Sequence, residues 1–170
     1  MLTMVARQKT MKTYKLFNKI DISFLNSFVV EIGLEKVLKE IESKIPESLF
    51  SDVDVIYVGD FRFLDEEGVC SKFLDNAIYL CKEMYYESDV LYDIVAALGE
   101  SLEKRYMHLF YDNAKIVKEL EFYWNADQNC RDNFVDAVYE FLIEDRSRSK
   151  QEMPLFSEAL QEIIDETCQI

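Results

Sequence analysis

Val90, Leu91, Ile94, Val95, Leu98 and Leu102 recur at three- and four-residue spacing between Asp89 and Met107, the pattern of a helix with one broad apolar face. Such a face must be buried, so the chain needs a second layer of structure to cover it. Ser88 followed by Asp89 predicts an N-cap at the helix start, with a carboxylate favourably placed in the first turn. Upstream, Val53–Val58 is a β-branched run closed by Gly59, a strong strand signal. A helix is expected over 23–44, with Leu34, Val37, Leu38 and Ile41 on one face and Pro46 ending it. A looser strand pair is expected at Phe61–Leu64 and Ala77–Cys81, joined by Asp65-Glu66-Glu67-Gly68. Helical patterning then continues over 114–125, 129–145 and 153–168, where Ile163 and Ile164 suit a terminal amphipathic helix. An N-terminal helix and small sheet, followed by a bundle of helices, predict an α+β fold with the sheet covered on one face.

The chain has 170 residues, 49% of them apolar, and only four glycines and two prolines, which fits one domain with a real core. Its net charge of −14 opposes a grip on nucleic acid or an anionic membrane by the domain as a whole. That charge is uneven. Residues 1–20 carry Arg7, Lys9, Lys12, Lys15 and Lys19 and no acid, which leaves −19 on the other 150 residues. The reading is a basic arm over 1–20 and a single domain over 21–170. A solvated terminus accounts for such an arm, and so does docking onto its own domain, an acidic neighbour in an assembly, or nucleic acid. The arm lacks the apolar run of a signal peptide, and no stretch reaches the roughly 18 apolar residues of a membrane span, so the expectation is an intracellular protein.

Cys70, Cys81, Cys130 and Cys168 include no CxxC pair, which argues against a zinc ribbon or thioredoxin-like motif and for structural thiols. His108 is the sole histidine, so no site that needs two imidazoles can form, and no serine or cysteine motif recruits it as a base. It reads as a half-buried packing residue. The aromatic runs Tyr85-Tyr86 and Phe122-Tyr123-Trp124 read as core or interface packing rather than stacking platforms, because the surrounding acids repel phosphate. Glu31, Glu35, Glu42, Glu140, Glu144 and Asp145 read as solvated helix faces.

The stretch Asp89–Glu103, D-V-L-Y-D-I-V-A-A-L-G-E-S-L-E, resembles the active-site helix of small zinc metallopeptidases encoded in phage and bacterial genomes. In that gluzincin-like family H-E-x-x-H sits in a frame like D-I-V-H-E-x-A-H-x-x-E. Val53–Phe61 looks like the family's edge strand, and Asp75–Leu80 like its D-G-A-I-Y-V segment. Arg131–Ala137 is similar to the R-E-x-F-A-x-G stretch that supplies the last ligand, while Asp145-Arg146 and Met153–Phe156 resemble the final loop and helix. The likeness spans about 53–168.

In H-E-x-x-H two imidazoles one turn apart reach a single Zn²⁺ and the glutamate activates its water. At those positions this chain has Ala96, Ala97 and Glu100, and Asp132 stands where the family has its third ligand. Alanine offers a metal no lone pair and moves no proton. The resemblance therefore implies a degenerate member, a zincin-like pseudoenzyme with no catalytic residue, no metal and no cofactor. It would be retained as a binding, structural or assembly module, of a phage particle or in the host cytoplasm, its partner another protein or copies of itself. The rival expectation is a hydrolase rebuilt on Glu100 and Asp132 around a hard, non-zinc ion.

Overall fold

The computed structural model describes residues 13–25, 33–82, 86–123 and 130–169, and only the backbone of Tyr123, Cys130, Arg131 and Asp132. Arg7, Lys9 and Lys12 of the basic arm lie outside the described residues, as do Glu31, Tyr85 and Trp124. The α+β class is as expected: a small mixed sheet with helices around it.

The described residues begin in the sheet. Strand β1 (Tyr14–Leu16) turns back into β2 (Ile20–Phe24), and the pair is antiparallel. Of the helix expected over 23–44, residues 23 and 24 belong to β2, residues 26–32 lie outside the described residues, and α1 spans Leu34–Lys44, so this helix follows two strands instead of leading. The reason is visible in Ile20-Asp21-Ile22-Ser23-Phe24: its alternation is that of a strand, and its backbone pairs in parallel with β3 (Val55–Gly59). In α1 the predicted face of Leu34, Val37, Leu38 and Ile41 is buried. The turn between β1 and β2 sets Phe17 and Asn18 in the left-handed region, at φ 53° and 54°. Phe17 is held there by its N–H donating to Glu42 Oε1 at 2.6 Å and by its ring against Phe50. Lys15 and Lys19 pair with Asp21 and Glu47, so two of the five basic residues are spoken for within the domain.

Where a strand was expected at Phe61–Leu64, the chain forms a short helix, α2 (Arg62–Glu67). Arg62 pairs with Glu66 one turn on, and Gly68 ends the helix with φ 68°, a conformation glycine adopts without a Cβ clash. The antiparallel partner of β5 (Ala77–Cys81) is instead β4 (Ser71–Leu74), while β3 pairs with its other side in parallel. Asp75 and Asn76 join them, both at positive φ (49° and 60°), the two-residue turn whose twist matches a hairpin. The sheet order β1-β2-β3-β5-β4 puts Val55–Gly59 at its centre, not at an edge as the resemblance implies; β4 is the edge strand on that side.

Leu16, Ile20, Ile22, Ile56, Val58, Ile78 and Leu80 from the sheet and Ile94, Val95, Leu98 and Leu102 from α3 (Glu87–Tyr111) share one continuous core. Helix α3 begins at Glu87 with Tyr86 at the cap position, so Ser88 lies inside the first turn and is not the cap. Helices α4 (Ala114–Tyr123) and α5 (Cys130–Tyr139) follow. The helix expected over 129–145 breaks into α5 and a wider π-type turn, Glu140–Glu144. Asp145 then starts an unforeseen helix, α6 (Arg146–Glu152), its carboxylate accepting the Arg148 N–H at 2.9 Å; it is a cap, not a solvated face residue. Helix α7 (Pro154–Thr167) closes the chain with Pro at its first position and Ile163 and Ile164 buried. No described helix is long and apolar enough to cross a membrane.

Candidate functional site

Helix α3 runs beside the edge strand β4, and the three motif positions are all occupied by structural duties. Ala97 is fully buried and Ala96 nearly so. Glu100 is half-buried, and its Oε2 accepts the backbone N–H of Phe73 at 2.7 Å. An edge strand has unpaired N–H groups that invite another strand, and Glu100 satisfies one of them. Burial pushes the Glu100 carboxyl above its usual range, opposed by the Phe73 N–H and the Lys72 charge. Lys104, one turn further, lies over the Phe73 ring at 5.9 Å. The other side of α3 meets α5 closely: a Cβ on Gly99 would stand 3.5 Å from Val135 Cα. Asp132 precedes Val135 by one turn of α5, and its side chain lies outside the described residues. Glu100 is thus committed to β4.

Other expectations shift. His108 is exposed near the end of α3, not half-buried. Phe122 is 89% exposed and Tyr86 69%, so neither is a core packing residue. Glu42, expected to be merely solvated, holds the β1–β2 turn.

Asp93 was not singled out by sequence. It is half-buried, and burial, with Asp89 one turn away adding repulsion, pushes its carboxyl up to about 6. Because the folded chain holds this proton more tightly than the unfolded one, the associated stability is full below the ordinary value of 3.8. It is lost as pH rises through about 6. In protein stripped with chelator, Asp93→Asn is expected to stabilise the fold at pH 7.5 by on the order of 1 kcal/mol after allowance for solvent screening. It should make little difference at pH 4, so thermal midpoints of both proteins at the two pH values check the sign.

The hairpin also does what the cysteine spacing did not suggest. Cys70 and Cys81 face each other across β4 and β5, with the Cys81 N–H donating to the Cys70 carbonyl at 2.8 Å. Beside them a cavity of about 300 Å³ opens, its lining including Gly59, Asp60, Phe61, Cys70, Cys81 and Lys82. Compared with family models, curated proteins and solved structures, the chain matches none.

Proposed function

We propose that this chain is a catalytically inactive metallopeptidase-like domain that works as a binding or assembly module, intracellular or within a phage particle. The observation that carries the reading is the use made of the motif positions. Two alanines are packed into the core where the family has an imidazole and a general base, and Glu100 spends its carboxylate on the edge strand. Its anchors for a protein partner, or for further copies of itself, are the apolar side chains left in solvent on an acidic body. Tyr86, Met107 and Phe122 are 69%, 56% and 89% exposed, and aromatic side chains of this kind dominate recognition energies when a partner buries them.

The test is turnover of an unfolded protein substrate by the full chain, without metal and with added magnesium, calcium or zinc, beside Glu100→Ala. The expected result is no cleavage above the blank in any of them. Cleavage that disappears in Glu100→Ala would overturn the proposal in favour of a hydrolase rebuilt on Glu100 and Asp132.

A further inference from the structure

The Sγ atoms of Cys70 and Cys81 and a carboxylate oxygen of Asp93 all lie within 4.8 Å of one another. Three elements supply them: the segment entering β4, the end of β5, and the first turns of α3. From this juxtaposition we propose a binding site for a borderline-soft divalent cation, of which zinc is the type, held by two thiolates and one carboxylate. It does not rest on reading α3 as a degenerate peptidase helix.

The chemistry of the donor set fits. Zinc takes thiolate sulfur at about 2.3 Å and carboxylate oxygen at about 2.0 Å, so tetrahedral ligand atoms stand roughly 3.5–3.8 Å apart. Atoms already within 4.8 Å of one another stand at most about 1.3 Å beyond that spacing, and Cys70 is exposed. Hard ions such as Mg²⁺ and Ca²⁺ prefer an all-oxygen shell, so two sulfurs select against them. Asp93 has no hydrogen-bond or ion-pair partner among the described residues, which is costly for a half-buried carboxylate and is relieved by a cation. The cation of the adjoining cavity does not compete, because Lys82 Nζ pairs with Asp60 Oδ2 at 2.7 Å. Both cysteines line that cavity, so space large enough for water or a small ligand adjoins the two sulfurs, and zinc held by three protein ligands takes water or a ligand as its fourth. Bound there, the ion would tie the hairpin to α3 across a join that the Glu100–Phe73 bond, the Lys104–Phe73 contact and packing also hold.

Cobalt(II) is the probe, titrated into the full chain kept reduced with a phosphine, since thiol reductants compete for metal. The expected result is one equivalent bound, with a thiolate-to-cobalt charge-transfer band and the strong visible absorption of tetrahedral cobalt. Zinc should displace it, and the thermal midpoint should rise with zinc concentration. Cys70→Ser and Cys81→Ser should each weaken binding by more than about 100-fold, a larger loss than outer-shell changes cause. Cys168→Ser should leave it unchanged, and Asp93→Asn should weaken it while leaving the sulfur band in place. Absence of the sulfur band, or binding indifferent to both Cys70 and Cys81, would overturn the proposal. So would a chain that takes up no metal when reduced but loses two hydrogens to form a Cys70–Cys81 disulfide under mild oxidation.

Discussion

Phe134→Ala is expected to destabilise the fold by about 3–5 kcal/mol, lowering the thermal midpoint by on the order of 10 °C. Phe134, from α5, is fully buried between Phe110 of α3 and Phe156 of α7, with ring centroids 4.8 and 5.6 Å away. Phe110 and Phe156 also touch, at 5.5 Å, so three helices meet on one triangle of rings. Edge-to-face contacts add to the loss of buried area, and the surrounding rings belong to different helices that cannot easily close the gap. Phe134→Leu keeps most of the volume and should recover more than half of the loss. Chemical denaturation of the three proteins checks the order; a cost below about 1 kcal/mol for the alanine would mean the triangle is not the keystone of the helical half.

Glu119→Ala is expected to cost about 1–3 kcal/mol, a large effect for a residue on a helix surface. Its carboxylate accepts the Leu155 N–H at 3.0 and 3.2 Å and the Phe156 N–H at 3.0 Å, at the start of α7. Met153, at the cap position, offers no side-chain acceptor, and Pro154 has no N–H to satisfy. Glu119 therefore caps α7 from another helix, with its charge set at the positive end of the helix dipole. Glu119→Gln keeps an acceptor without the charge and should cost less than the alanine. Urea denaturation at low and high salt distinguishes the two contributions, since the charge part is screened where Glu119 reaches solvent.

The apolar periodicity of α1, α3 and α7 was legible because helical spacing is a property of a local window. Ile94, Val95, Leu98 and Leu102 are buried as their spacing demands. The structure departs from that reading in two places, one decided by a distant partner and one by local charges and a glycine stop. Residues 20–24 alternate like a strand, but the alternation has a meaning only beside Val55–Val58. Residues 61–64 read as a strand and 65–68 as its turn, yet three acids, an Arg62–Glu66 pair and a glycine stop make residues 62–67 a helix about a turn and a half long.

The cysteine pair was within reach of the sequence. Cys70 lies five residues before Asp75 and Cys81 five after Asn76, so a two-residue turn at Asp75-Asn76 brings them opposite each other by symmetry alone. Searching for CxxC looks only for ligands on one short loop and passes over ligands matched across a hairpin. Asp93 carried no such signal, because its position beside them depends on how α3 is laid against β4. Nor did the spacing of Ala96, Ala97 and Glu100 reveal that Glu100 turns toward Phe73, which is a matter of docking.

The sheet order has a consequence for the time course of synthesis. Strands β1 and β2 leave the ribosome before α1 and β3, so β2 finds its parallel neighbour only after both have followed it out. A lone two-stranded hairpin is marginal in water, so the β1–β2 hairpin must wait, with β2 unpaired along one side, for a partner more than thirty positions downstream. The strand made earlier thus waits for the one made later before it is locked in place, and slowing translation between Phe24 and Val55 would lengthen the interval in which it is open to a wrong neighbour.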